Sequence, residues 1–354
     1  MAGSTALSAC TPREASGPPD SASGERLEWR MVTSWPPNFP GLGTGATNLA
    51  RYLEELSGGR LAVTVYAAGE LVPALEVFDA VSAGTAELGH GGAYYWRGKA
   101  EATQFFTTIP FGMNSLETNA WLYYGGGLEL WEEVYRPFGL KPFPAGSSGV
   151  QMGGWFNRTI DGVEDLRGLR MRIPGIGGEV LQRAGGTPVT LPGAELFTAL
   201  QTGAIDATEW VGPYNDVAFG LHRAARYYYY PGWQEPGSIM ECMVNQAAYD
   251  SLPADLQAII RVACQAANMD MLSEYNARNA ASLAQIAMDD SIEIRRFPDD
   301  VLARLKELTY EVMDDLAARD PLSARIWDSY RSFMQQSREW QRIGEQAFLA
   351  TSDL

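Results

Sequence analysis

Histidine and cysteine are scarce: the 354 residues include 2 histidines and 3 cysteines. His90 and His222 are isolated, so nucleophile chemistry of the Ser-His or Cys-His kind has little to draw on. Cys10, Cys242 and Cys264 lack metal-ligand spacing. Buried free thiols are the expectation for Cys242 and Cys264, with a disulfide as the alternative in an oxidising compartment. Positive charge is also short. Lysine and arginine total 27 against 43 acidic residues, a formal net charge of −16. That balance argues against nucleic acid or an anionic membrane surface as partner, because phosphate recognition needs clustered cations. No apolar run reaches the length of a membrane-spanning helix.

The composition is otherwise that of a globular chain, with 46% hydrophobic and 20% charged residues. Its length allows a large core and predicts two lobes. Residues 1–25 are rich in Ser, Gly, Ala and Pro and read as a disordered tether or signal remnant. Within them Leu7-Ser8-Ala9-Cys10 has the form of a lipoprotein processing box, which points to export and a possible lipid anchor on Cys10. Strands are expected at Leu27–Thr33, Leu61–Tyr66 and Ala86–His90, separated by helices ending near Leu56 and Ala83. That alternation predicts a parallel sheet with crossover helices, whose ligands sit at the carboxyl ends of the strands. Gly41 to Ala46 matches a loose GxGxxA pattern. A proline-rich loop separates it from the first strand, which speaks against a nucleotide site.

The stretch from Gly149 to Pro174 is central. It predicts a strand over Val150–Asn157, a turn at Asp161-Gly162 and a second strand, Leu169-Arg170-Met171-Arg172-Ile173, stopped by Pro174. Arg172 then stands at a strand end, where a guanidinium can grip a carboxylate with two parallel hydrogen bonds. Glu209 likewise follows an apolar strand, and Glu235 lies in Pro231-Gly232-Trp233-Gln234-Glu235-Pro236-Gly237. Tyr94, Tyr95 and Trp96 follow the third strand; they read equally as core aromatics or as pocket walls. From Pro321 to Leu349, apolar residues recur at helical spacing.

Over most of its length, from about Leu27 to about Phe348, the chain resembles the solute-binding subunit of a TRAP (tripartite ATP-independent periplasmic) transporter. The resemblance rests on Trp35-Pro36, Leu166-Arg-Gly-Leu-Arg-Met-Arg-Ile-Pro174 and Leu200-Gln-Thr-Gly-Ala-Ile-Asp-Ala207. It is nearest to the branch that binds 2-oxo or 2-hydroxy monocarboxylates with a metal ion. The resemblance implies an α/β, two-lobed periplasmic binding protein fold with a ligand cleft between lobes and a long C-terminal helix. It implies that Arg172 pairs with the substrate carboxylate. Gln151, Glu209, the carbonyl of Trp210 and Glu235 would hold one Ca²⁺ or Na⁺, with Gln151, Trp210 and Glu235 also facing the substrate. An all-oxygen set suits a hard cation. By motif neighbourhood Tyr94, Tyr95, Phe111 and Tyr214 would line the substrate's methyl end.

Residues 26–150 with 238–290 are expected as one lobe, 151–237 as the other, and 291–354 as a C-terminal helical segment with a dimerisation helix at 321–349. The protein so implied is not an enzyme. It captures a pyruvate- or lactate-class acid in the periplasm and delivers it to membrane subunits, as a homodimer. The rival reading is a metal-dependent enzyme acting on a 2-oxo acid, but no spare His or Lys falls in these motifs as general base.

Overall fold

The computed structural model describes residues 26–351, so the processing-box reading at Cys10 lies outside the described residues. Among the described residues eleven strands form two sheets. In chain order they are β1 (Leu27–Thr33), β2 (Leu61–Tyr66), β3 (Leu88–Gly91), β4 (Leu140–Gly149), β5 (Gly154–Phe156) and β6 (Arg170–Arg172). There follow β7 (Thr187–Val189), β8 (Ala207–Thr208), β9 (Tyr227–Tyr230), β10 (Ser238–Asn245) and β11 (Glu293–Arg296). The first sheet runs β2-β1-β3-β10-β4, with β1 parallel to β2 and β3, and β10 antiparallel to both neighbours. The second runs β11-β9-β5-β8-β6-β7, with β6, β7 and β8 parallel. The expected α/β fold with its two sheets is therefore present, and the strand β11 from the C-terminal segment completes the second sheet.

The chain passes between the sheets through residues 150–153, through residues 231–237, and along the helix Ala254–Ala287. The first passage corrects the strand expected over Val150–Asn157: only Gly154–Phe156 is extended in a sheet. The long strand lies upstream, at Leu140–Gly149. Pro142 and Pro144 disguise it in the sequence. They are tolerated because β4 is an edge strand, paired on one side with β10, so the missing amides interrupt no ladder.

The helix Ala254–Ala287 has 34 residues, roughly 51 Å at helical rise. It explains the glycines after the first strand. A Cβ at Gly45 would lie 2.3 Å from Met271 Cε, and one at Gly41 would lie 2.5 Å from the Tyr275 ring. These glycines admit the long helix; they do not cradle a phosphate. Cys242 and Cys264 are buried free thiols.

The helix Pro321–Ile343 is capped by Asp320, whose carboxylate accepts from the amides of Leu322 and Ser323 at 2.8 and 2.9 Å. It buries Ile326, Trp327, Tyr330 and Met334, each contributing roughly 1.5–3 kcal/mol. Gly344 interrupts the amphipathic run and a short helix, Glu345–Leu349, follows, so the expected single helix at 321–349 is two. Trp340, Ile343, Phe348 and Leu349 on this end are 63–73% exposed. Among the described residues no helix is long and apolar enough to cross a membrane.

Candidate functional site

Strand register brings the polar residues together. β6 and β8 run parallel with Arg172 abreast of Thr208, so Glu209 falls one step past the pair. The Glu209 amide donates to the Arg172 carbonyl at 3.2 Å. The two arginines of β6 reach the same neighbour with different outcomes. Arg170, exposed, pairs with Asp206 at 2.7 Å, while Arg172, 1% exposed, ion-pairs with Glu209, which is fully buried. Arg172 is held on every side. Its Nε donates to the Leu191 carbonyl at 3.2 Å and its Nη2 to the Tyr95 hydroxyl at 3.3 Å. The guanidinium lies 5.0 Å from the Trp210 ring.

The two crossovers supply the rest. The Gln151 amide nitrogen of the main chain donates to the Glu235 carbonyl at 3.1 Å. The Gln151 side chain donates through Nε2 to Glu235 Oε2 at 2.7 Å and to Ser148 Oγ at 3.1 Å. The Ser238 hydroxyl also donates to Glu235. Gln151 and Glu235 are 4% and 2% exposed. Each residue is supported by a serine three positions away, Ser148 for Gln151 and Ser238 for Glu235. Sequence reasoning missed both serines, although the i,i+3 spacing was the available signal.

Aromatic residues wall this cluster. Tyr94 sits edge-on to Tyr95 at 4.6 Å, and Trp35 contacts Tyr95 and Trp210, each at 6.4 Å. His90 has no catalytic bearing: its Nδ1 accepts from Trp35 Nε1 at 2.7 Å. Burial holds the His90 pKa down to about 4, so the ring is a neutral acceptor that orients Trp35. Phe111, half-buried, stacks on Trp233 at 5.8 Å, and its amide donates to the Trp233 carbonyl at 2.8 Å. Tyr214 is not brought to the cluster. Its hydroxyl donates to Glu274 Oε1 at 2.8 Å and its amide to Asn279 Oδ1 at 3.0 Å, both on the long helix. Two residues further, Asp216 accepts from Trp155 Nε1, the Tyr228 hydroxyl and the Val211 amide, which pins the loop bearing Glu209 and Trp210.

The electrostatics follow from one arginine facing two carboxylates. Burial alone would lower the Arg172 pKa, but Glu209 and the tyrosine hydroxyls outweigh it and keep the guanidinium charged. Burial pushes Glu235 up to about 7 against the bonds from Ser238 and Gln151, and pushes Glu209 well above the carboxylate range. With both ionised, the cluster carries one uncompensated negative charge. Two buried oxygens here have no hydrogen-bond partner, Gln151 Oε1 and Glu209 Oε2. Buried polar atoms are nearly always satisfied, and these two oxygens are free to donate electron pairs to a bound group. No three His, Cys, Asp or Glu side chains converge as a metal centre among the described residues. The donors on offer, two carboxylates and an amide oxygen, suit a hard cation that also draws oxygens from main chain and ligand.

Two interlinked α/β sheets, with a buried arginine and glutamate at strand ends of the second and a buried glutamine and glutamate in the crossovers, form the arrangement of a solute-binding protein. The comparisons make this specific. The model for bacterial extracellular solute-binding protein family 7 matches residues 31–320. A monocarboxylate 2-oxoacid-binding periplasmic protein of Nostoc sp. is 42% identical over 344 residues, 97% of this chain and 93% of that protein. A TRAP periplasmic solute-binding protein of Pseudoalteromonas atlantica, solved with sodium and pyruvate, is 45% identical at a TM-score of 0.90, over 92% of this chain and 99% of that one. Its counterpart from Colwellia psychrerythraea, solved with calcium and pyruvate, is 44% identical at 0.90, over 92% and 100%. The chain belongs to family 7 of the bacterial extracellular solute-binding proteins, the solute-binding subunits of TRAP transporters.

Proposed function

We propose that this protein captures a 2-oxo or 2-hydroxy monocarboxylate of the pyruvate and lactate class together with one Ca²⁺ or Na⁺ ion. The observation that carries this reading is the pair of buried oxygens without a hydrogen-bond partner, Gln151 Oε1 and Glu209 Oε2. With both carboxylates ionised, Glu209 and Glu235 against Arg172 leave one negative charge, and a monocarboxylate makes two. A bound cation offsets them, fully if divalent. The unpartnered oxygens of Gln151 and Glu209 are the acceptors such an ion would use, with Glu235 and the Trp210 carbonyl completing the protein's share. Arg172 would hold the ligand carboxylate, aided by the Tyr95 hydroxyl. An ion that also needs the ligand's 2-oxygen selects against acids lacking one. Tyr94 and Phe111 would enclose the methyl end.

The reading extends to the whole subunit. Residues 26–150 with 238–290 and residues 151–237 would act as lobes closing on the ligand, and the closed form would be what the transporter's membrane subunits recognise. The exposed apolar end of the C-terminal helices would mediate a homodimer. The cluster suits binding rather than turnover. The histidine nearest its walls, His90, is neutral and engaged with Trp35 and with the Ala145 carbonyl.

The test is calorimetric titration of metal-stripped protein with pyruvate, lactate and propionate, each with and without Ca²⁺ or Na⁺. One-to-one, ion-dependent binding of pyruvate or lactate but not propionate is expected. Equal binding of propionate, or binding indifferent to the ion, would sink the chelate model.

A further inference from the structure

The C-terminal helix reaches the crossover that carries Glu235 through a single loop. Arg338, on helix Pro321–Ile343, donates through Nη2 to the carbonyls of Phe111 and Gly112 at 2.8 and 2.7 Å. From the same helix, the Tyr330 hydroxyl accepts the Met113 amide at 2.6 Å. Between these anchors Phe111 adopts φ 54°, a left-handed conformation that a bulky non-glycine residue avoids unless its surroundings impose it. The loop is bonded in turn to the crossover. The Phe111 amide donates to the Trp233 carbonyl, the rings stack, and the Ile239 amide donates to the Thr107 carbonyl at 2.9 Å. At Gly237 a Cβ would lie 2.3 Å from the Asn114 carbonyl carbon, so the two backbones touch without room for a side chain. Glu235 lies between these fixed points.

We infer that Arg338 is a positioning residue for the ligand site: it locks the 107–115 loop, which holds the 231–238 crossover and so sets where the Glu235 carboxylate stands. The observation is independent of any role of this helix between subunits, because each contact is made within one chain. Its effect on ligand affinity rests on the function proposed above; its effect on the loop does not.

Two variants and a control separate the roles. Arg338→Ala removes both charge-assisted bonds. Arg338→Lys keeps an ammonium with three donors. Arg325→Ala breaks a surface pair of the same helix, Arg325 with Glu133 at 2.8 Å. Pyruvate affinity in the presence of Ca²⁺ is measured by calorimetry, and amide exchange in the ligand-free protein by mass spectrometry. Arg338→Ala is expected to weaken binding about tenfold. It is also expected to speed exchange in segments 107–115 and 231–238 while the helix amides stay protected. Arg338→Lys should recover most of the affinity, and Arg325→Ala should change neither readout. Binding by Arg338→Ala within twofold of wild type overturns the inference. So does unchanged exchange in the two segments, an equal loss in Arg325→Ala, or exchange that rises along the whole helix. If the wild type binds no pyruvate, the proposed function fails, and the exchange measurement alone still decides the role of Arg338.

Discussion

Replacing Arg172 separates what this residue does for folding from what it does for binding. In the ligand-free protein it is the cationic partner of Glu209, and it makes three further bonds, to the carbonyls of Leu191 and Glu209 and to the Tyr95 hydroxyl. Removing one partner of a buried ion pair costs about 3–5 kcal/mol. The lower end, about 3 kcal/mol, is expected for Arg172→Ala, because burial raises the Glu209 pKa and lets the carboxylate take up a proton when the arginine goes. The binding loss is larger. Two charge-assisted bonds to a carboxylate at about 1.5–3 kcal/mol each amount to roughly 10²–10⁴-fold in affinity. Arg172→Lys keeps the charge but not the fork, and about 10–100-fold is expected. The informative variant is Arg172→Ala with Glu209→Gln. With both charges gone, urea denaturation should show a protein more stable than Arg172→Ala alone, since no orphan charge is left at position 209. Calorimetry with pyruvate and Ca²⁺ should still detect no binding. If Arg172→Ala bound pyruvate within threefold of wild type, or if the double variant were no more stable than Arg172→Ala, the argument would be wrong.

Glu235→Gln removes one negative ligand at constant shape, so Ca²⁺-dependent pyruvate binding should weaken by about tenfold or more; calorimetry showing unchanged ion dependence would exclude Glu235 from the cation. Glu241 is fully buried, bonded to Trp96 Nε1 at 2.5 Å, and burial raises its pKa to about 7. Its folded pKa lies above the unfolded one, so the stabilisation from this neutral carboxyl is complete below about pH 4.5 and is lost as pH rises through 7. Relative to Glu241→Gln, the wild type should lose on the order of 2–3 kcal/mol between pH 4.5 and 8; parallel stability curves from denaturant melts would refute this. Trp340→Glu with Ile343→Glu charges the exposed end of the C-terminal helix; sedimentation should record the proposed homodimer in the wild type and at least about a 100-fold weaker one in the variant, and a monomeric wild type would refute this.

The strands with clean period-2 patterns were legible: β1 and β2 begin and end where alternation and turn residues put them. β4 was not, because its prolines obey a rule about edges, and edge position is a property of the assembled sheet. The same distinction runs through the site. Arg172 and Glu209 could be read as strand-end residues, since local pattern places a strand end. That Arg172 is buried while Arg170, two positions earlier, is exposed depends on the residues packed around each, which spacing along the strand does not encode. Tyr214 misled for a similar reason. Chain neighbourhood put it beside Trp210, but one turn of helix directs its hydroxyl to Glu274. His90 gave no signal, because a buried histidine acting as acceptor to a tryptophan needs no motif.

The origin of the cluster's members explains why affinity and conformation should be one property here. Arg172 and Glu209 come from the second sheet, and Tyr95 follows the last parallel strand of the first. Gln151 and Glu235 come from two of the three passages between the sheets, bonded to each other. Under the proposed reading, a ligand and its cation would touch every one of these segments at once. Displacing one sheet relative to the other would then break the Tyr95–Arg172 contact and shift the crossovers that hold the ion. A lone carboxylate without cation would leave the cluster two charges negative, which burial opposes. A cation without ligand would lack the oxygens the acid supplies. Neither alone satisfies the site, so the closed arrangement is best populated when both are present.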